Sequence, residues 1–341
     1  MPVLAVCGHS GSGKTTLIEW VIPELVRRRL RVAAVKHDVH AIQIDRPGKD
    51  SDRLFTAGAD VYLRGSSEHL VRRHHRDSAE FDVELRDIRR SYDVVLVEGF
   101  KHSPWPKVWL LGAGERLPPA DVAAVLDIYP RDADRAARFL ALIDDQLPRQ
   151  WRQTPVYGGI LIGGASRRMG RPKHLLRAAD ASWIEQIAAV AGDAVERLVV
   201  VGSGELPPGL TGITRLPDAA DCDGPLAGML AARRWAPDAG WLFMACDMPD
   251  ISRAAIDWLL SQRAPGRWAV LPRLSGQDRI EPLFAYYDPR IATVLEDMAG
   301  SRRFGFQHLL ANQACLCPRV PESLVPAWRN VNTPDDLALA R

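Results

Sequence analysis

Two short apolar runs in this 341-residue chain each pass straight into a glycine-rich loop, and that pairing limits the fold more than any other feature. The first run, Pro2 to Cys7, meets Gly8-His9-Ser10-Gly11-Ser12-Gly13-Lys14-Thr15, a full match to G-x-x-x-x-G-K-[ST]. Behind it, Leu17, Ile18, Val21, Ile22, Leu25 and Val26 recur at helical spacing within Thr16 to Arg28. Strand, loop and helix in that order make a phosphate-binding loop. Its amides and the helix N-terminus face phosphate oxygens, Lys14 reaches the terminal phosphates, and the Thr15 hydroxyl ligates magnesium. Gly8, Ser10, Gly11, Ser12, Gly13, Lys14, Thr15 and Thr16 are the expected phosphate-binding residues.

The second run, Ile160 to Ile162, meets Gly163 and Gly164, then Ser166, Arg167, Arg168, Met169, Gly170, Pro172 and Lys173. Glycines after a strand let the backbone come close to a phosphate chain. Arg168 and Lys173 add fixed positive charge where a triphosphate would lie. No side chain here reads as a nucleophile or a general base. That suits a reaction whose nucleophile arrives on the substrate, already ionised.

Length predicts two domains. Lys and Arg stand against Asp and Glu at 23 to 22 in residues 1–150 and at 21 to 20 in the remainder, so neither half is a basic platform and nucleic acid is disfavoured as a partner. The five cysteines (Cys7, Cys222, Cys246, Cys315, Cys317) form no CxxC pair, which fits reduced thiols in a cytoplasmic protein. Neither a signal peptide nor a membrane-spanning run is expected.

Along the first half, strands are expected at Arg31 to Lys36, Val61 to Leu63, His69 to Val71, Asp93 to Gly99, Val108 to Leu111 and Val122 to Leu126, with a helix at Asp132 to Leu147. The polar stretch Lys36 to Asp60 reads on its own as a solvated loop, and Arg72-Arg73-His74-His75-Arg76 as a solvated turn. Glu98 ends a buried strand beside the phosphate loop, where an acid holds magnesium through water. Pro148 to Tyr157 reads as a short linker. It separates a P-loop domain at 1–150 from a second domain at 155–341.

In the second half, a helix is expected at Ser182 to Ala191 and strands at Arg197 to Val201, Thr211 to Leu216 and Glu281 to Tyr287, with an apolar helix at Phe306 to Ala311. Gly224-Pro225-Leu226-Ala227-Gly228 opens a helix with proline at its first position and small residues behind. Trp241 to Cys246 is an apolar strand ending in Asp247-Met248-Pro249; an acid past the carboxyl end of a parallel strand sits where such sheets bind ligands. Thr333 and Asp336 form a variant capping box for a last helix.

The GG-x-S-x-RMG-x-x-K loop resembles the nucleotide-binding loop of Rossmann-like nucleotidyltransferases, and within them molybdenum cofactor guanylyltransferase. GPLAG, CD-x-P at Cys246 to Pro249, the Glu281 to Tyr287 strand and the Asn330-Val331-Asn332-Thr333-Pro334 ending match that family in turn. The first half resembles the molybdopterin-guanine dinucleotide biosynthesis adapter family. There, Lys36, His37, His40, Asp45, Gly48, Lys49, Asp50, Ser51, Arg53, Ala57, Gly58 and Ala59 stand in register, and Glu98-Gly99-Phe100-Lys101 completes the pattern.

The resemblance implies an α/β fusion of a P-loop NTPase domain with a Rossmann-like nucleotidyltransferase domain. It implies transfer of GMP from GTP to the phosphate of molybdopterin or Mo-molybdopterin, with a GTP-binding adapter. It implies Arg168, Lys173 and Asp247 as catalytic residues. Leu161, Ile162, Gly163, Gly164, Ser166, Lys173, Asp218 and Asp247 are then the nucleotide contacts, with Asp218 near base and ribose. Asp247, Thr15 and Glu98 are the magnesium ligands. Arg302-Arg303 face either the acceptor phosphate or solvent, and Asn330 and Asn332 either the site or a turn. Molybdenum insertion proteins and apo-molybdoenzymes are implied partners. Two departures leave the base open between guanine and cytosine: Gly202 stands where the family often has asparagine, and Pro172 where it commonly has aspartate. A molybdopterin cytidylyltransferase and a GTP-dependent cofactor carrier are the alternatives.

Overall fold

A computed structural model describes residues 3–36, 45–74, 78–162, 173–178, 181–276 and 278–331. The chain divides into two compact units, Met1–Val26 with Val32–Leu142, and Arg27–Arg31 with Ile143–Arg341.

From the N-terminus the order is β1 (Val3–Cys7), α1 (Lys14–Arg27), β2 (Val32–Lys36), α2 (Asp50–Thr56), β3 (Val61–Arg64), β4 (His69–Arg72), α3 (Ser78–Ser91), β5 (Val94–Glu98), β6 (Lys107–Leu110), β7 (Val125–Tyr129) and α4 (Arg135–Arg152), whose residues from Ile143 onward belong to the second unit. Five strands form one parallel sheet in the order β2-β5-β1-β6-β7. β1 is buried along its whole length, as a strand covered on both faces must be. β3 and β4 make a separate antiparallel hairpin. α1 buries Leu17, Ile18, Val21 and Leu25, whereas Val26 is exposed.

Two expectations change here. The stretch read as a solvated loop contains α2, and the basic cluster after β4 is knitted into it. Arg72 lies between Asp45 (3.3 Å) and Asp52 (3.0 Å), with its guanidinium over the Phe55 ring; His74 stacks on that ring and bonds the Phe55 carbonyl. Charge pairing and an aromatic face, both long-range, give regular structure to a stretch whose described residues remain exposed or half-buried. The linker is also shorter than expected, because α4 continues through Pro148 to Arg152 and the next strand starts at Val156. The apolar face of α4 (Phe139, Ile143, Leu147) is buried up to the proline, and that burial outweighs one missing N–H.

The second unit continues with β8 (Val156–Leu161), the two-residue strands β9 (Arg177–Ala178) and β10 (Ala181–Ser182), α5 (Trp183–Gly192), β11 (Arg197–Val201), β12 (Thr214–Leu216), α6 (Pro225–Trp235), β13 (Gly240–Ala245), α7 (Arg253–Ser261), β14 (Ala269–Val270), β15 (Phe284–Tyr287), α8 (Ala292–Gly300) and β16 (Cys315–Leu316). Seven strands form a mixed sheet, β12-β11-β8-β13-β15-β14-β16, in which β15 runs antiparallel to both neighbours. Apolar clusters cover both faces. Gly159 in the central strand leaves room for the Phe243 ring, which an added Cβ would meet at 2.8 Å. Phe306–Ala311 is a 3-10 turn rather than an α-helix.

The chain moves from β8 outward to β11 and β12, then returns to β13 on the other side of β8. That reversal is the topological switch point of the sheet, where ligands bind beyond the carboxyl ends of the strands. Among the described residues, no helix is long and apolar enough to cross a membrane.

Candidate functional site

In the first unit, the loop between β1 and α1 has the backbone its glycines predict. Gly8, Gly11 and Gly13 take positive φ (149°, 71° and 92°). At Gly8 a Cβ would lie 2.6 Å from both the Leu110 carbonyl oxygen and Ser12 Oγ, so only glycine fits. Lys14 Nζ donates to the carbonyls of Gly8 (3.1 Å) and His9 (3.0 Å), which places its charge over the loop. Ser12 is buried and its Oγ has no hydrogen-bond partner among the described residues; Ser10, Gly11, Gly13 and Thr16 line the same turn and helix start.

Thr15 Oγ1 lies 2.9 Å from each carboxylate oxygen of Glu98, and Lys36 Nζ lies 3.8 Å from that carboxylate. A hydroxyl and a carboxylate meeting at one point form the oxygen donor set that magnesium takes. Sequence reasoning missed what braces this loop. Arg135 donates from Nη1 to the Ser12 carbonyl (2.6 Å) and from Nη2 to those of Leu111 (2.8 Å) and Tyr129 (3.0 Å). Its only sequence signal is an arginine at a helix start, which many folds share. Glu115 accepts from Trp109 Nε1 and Gly112 N and sits 3.4 Å from His9 Nε2.

In the second unit, Lys173 Nζ lies 3.2 Å from Asp247 Oδ2 at the carboxyl ends of β8 and β13. The side chains are 16% and 24% exposed, so the pair is largely screened from water. Asp247 Oδ1 is buried and has no hydrogen-bond partner among the described residues. A desolvated carboxylate oxygen without a donor calls for a cation, and magnesium, a hard oxygen-seeking ion, fits it. No group of three or more His, Cys, Asp or Glu residues that could hold a metal ion occurs among the described residues. Burial pushes the adjacent Cys246 thiol up to about 12, which rules it out as a thiolate nucleophile at neutral pH.

Residues 329–331 are tied to the same place. Val331 N donates to the Asp247 carbonyl at 2.9 Å, and Arg329 Nε donates to Asp250 Oδ2 at 2.9 Å. These contacts set the exposed Asn330 beside the Asp247 turn. Asp218 lies beyond β12, its carboxyl held above the usual range by burial. A Cβ on Gly228 of α6 would meet Asp218 Oδ1 at 3.2 Å and Leu161 Cδ2 at 3.1 Å, so the small residue of GPLAG lets the helix close on the site.

Leu161 and Ile162 lie buried at the carboxyl end of β8, where the Leu161 carbonyl accepts from Cys246 N and Ile162 N donates to the Val201 carbonyl. Arg302 and Arg303 are exposed at the end of α8, with Arg302 in the left-handed region at φ 52°. Gly163, Gly164, Ser166, Arg168, His37, His40, Asn332, Thr333 and Asp336 lie outside the described residues.

Comparison with known proteins fits this geometry. Residues 3–125 match the family described as molybdopterin guanine dinucleotide synthesis protein B, and residues 158–316 match the MobA-like NTP transferase domain. The chain is 42% identical over 142 residues to a molybdopterin-guanine dinucleotide biosynthesis adapter protein of Haemophilus influenzae, covering 40% of this chain and 79% of that one. Over 191 residues it is 32% identical to a probable molybdenum cofactor guanylyltransferase of Pelotomaculum thermopropionicum, covering 54% of this chain and 91% of that one. A second such protein, from Bacillus mycoides, is 28% identical over 191 residues, covering 54% of this chain and 94% of its own length.

Proposed function

We propose that this chain, which belongs to the molybdopterin-guanine dinucleotide biosynthesis adapter family in its first half and to the molybdenum cofactor guanylyltransferase family in its second, is a bifunctional molybdenum cofactor enzyme. Its second unit transfers GMP from GTP to the phosphate of molybdopterin, giving molybdopterin guanine dinucleotide and pyrophosphate. Its first unit binds GTP as an adapter. The observation that carries the reading is the Lys173–Asp247 pair at the switch point of the second sheet.

In the proposed reaction an oxygen of the molybdopterin phosphate attacks the α-phosphorus of GTP. The new P–O bond forms as the bond to the bridging oxygen breaks, and pyrophosphate leaves with that electron pair. The acceptor phosphate is anionic at neutral pH, so no general base is required. What remains is alignment and neutralisation of charge. Lys173, Arg168 and the Gly163 and Gly164 amides are assigned to neutralise the phosphate chain from one side, and Asp247, through magnesium, from the other. Asp218 is assigned to base and ribose. Magnesium held by Asp247 would neutralise charge on the α-phosphate and the leaving pyrophosphate. In the first unit, Thr15 and Glu98 would hold magnesium against the terminal phosphates of GTP.

The adapter half is read as serving delivery of the finished cofactor to molybdenum insertion proteins and apo-molybdoenzymes in the cytoplasm. The free state of all five cysteines agrees with a reducing compartment. Product analysis tests the main reading. The purified chain, with magnesium and molybdopterin, is given GTP or CTP while pyrophosphate is followed. A guanine dinucleotide from GTP alone is expected. A cytosine product would correct the base, and no release with either would remove the reading.

A further inference from the structure

The base of the nucleotide has a place in the second unit that follows from the sheet. Lys173 and Asp247 mark the phosphates at the tips of β8 and β13. β11 and β12 lie on the far side of β8 from β13, and strands are spaced about 4.8 Å apart. Moving from Asp247 to the tip of β11 therefore covers roughly 10 Å, the reach from an α-phosphate through ribose to a base. At that tip stands Gly202, with φ 117° and no side chain to offer.

A side chain from the neighbouring strand reaches the same loop. Arg215, on β12 and paired in register with Val200, donates from Nε to the Gly202 carbonyl at 3.1 Å. The bond fixes the plane of the guanidinium against the loop. Arg215 is exposed and makes no other hydrogen bond among the described residues, which leaves both terminal nitrogens as donors. Asp218, three residues further on, presents a partly desolvated carboxylate with no hydrogen bond of its own among the described residues. A fork of donors thus stands close in sequence to an acceptor at one edge of the sheet. Guanine carries the complement: acceptors N7 and O6 on one edge, donors N1–H and N2–H on the other. Adenine replaces O6 with an amino donor, and cytosine presents its N4 amino group.

We infer that Arg215 is the residue that selects guanine in the second unit, donating from its terminal nitrogens to O6 and N7 of the base. The inference rests on the nucleotidyl-transfer reading above and answers what stands in for a side chain at Gly202. Arginine is suited to the role because its planar fork is already oriented by the Nε bond, whereas lysine is a single mobile charge.

The test measures kcat/KM by pyrophosphate release, with molybdopterin as acceptor, for GTP, 7-deaza-GTP and CTP. Pyrophosphate reports only nucleotidyl transfer, so nucleotide bound in the first unit does not enter. The wild-type chain is expected to prefer GTP to 7-deaza-GTP about 5-fold or more, because carbon replaces the N7 acceptor. Arg215→Ala is expected to treat those two alike and to lower the preference for GTP over CTP by roughly 5- to 150-fold, the range of one bidentate guanine contact. Arg215→Lys retains the charge and loses the fork, so it should fall with alanine in the 7-deaza comparison; it also keeps the test decisive if truncation costs folding. An unchanged GTP to 7-deaza-GTP ratio in both variants overturns the assignment while leaving guanylyl transfer intact. No release from GTP by the wild-type chain removes the transfer reading itself, and Arg215 with it.

Discussion

Lys173 Nζ and Asp247 Oδ2, separated by 74 residues in sequence, stand 3.2 Å apart where β8 and β13 end. The pair joins the glycine loop of one strand to the acid that closes its neighbour. The two opposite charges meet in a largely enclosed place. Removing either breaks the pair and takes away one stabiliser of the transferring phosphate. Asp247→Ala and Lys173→Ala are each expected to lower kcat by ~10²-fold or more. Single-turnover GMP transfer checks this, and near-normal rates in either variant would remove that residue from the chemistry.

The Arg329–Asp250 ion pair and the Val331–Asp247 backbone bond clamp residues 329–331 onto the same turn. The ion pair is partly exposed (38% and 32%), so its direct worth to stability is small, about 0–1 kcal/mol. Its effect on position is larger, since misplacing a reacting group by about 1 Å can cost ~10²-fold. Arg329→Ala should therefore lower kcat roughly 10- to 100-fold while the melting temperature barely moves. The charge swap Arg329→Asp with Asp250→Arg should recover part of the rate; no recovery would count against a positioning role.

Glu98 accepts the Thr15 hydroxyl with both oxygens at 2.9 Å, so an amide at this position keeps a hydrogen bond and loses the charge. Glu98→Gln is expected to weaken magnesium-dependent GTP binding in the first unit by about 10- to 100-fold, the scale of a metal-orienting partner. The quantity to follow is the GTP-binding component that Lys14→Ala abolishes, titrated with magnesium. Equal magnesium dependence in wild type and variant would show that Glu98 only tethers Thr15.

The second unit carries a fully enclosed ion pair unconnected with the site. Arg290 donates from Nε to Asp288 Oδ1 (2.6 Å) and from Nη2 to Oδ2 (2.7 Å), each side chain 1% exposed. Removing Asp288 breaks both of these buried charge-assisted bonds to Arg290, so Asp288→Ala should cost about 3–5 kcal/mol in chemical denaturation. The double change Asp288→Leu with Arg290→Met should cost less than the single one, because the Arg290 charge leaves together with its carboxylate. A single variant within ~1 kcal/mol of wild type would contradict this account.

Local chemistry accounts for what the sequence alone determined. The first phosphate loop was legible because G-x-x-x-x-G-K-[ST] needs only neighbours in the chain: positive φ at Gly8, Gly11 and Gly13, and a helix whose N-terminus follows. Central strands such as β1 and β13 were legible because burial on both faces demands unbroken apolar runs. Asp247 was legible as an acid ending such a run. The tertiary structure decided whatever depends on partners remote in sequence. It put Lys173 on Asp247, Arg135 behind the Ser12 carbonyl, Arg72 between Asp45 and Asp52, and Arg215 against the Gly202 carbonyl. An arginine reads the same in sequence whether water or a carbonyl meets its guanidinium. Only the packing of strands and helices selects the partner, because long side chains reach across elements whose spacing no local pattern encodes.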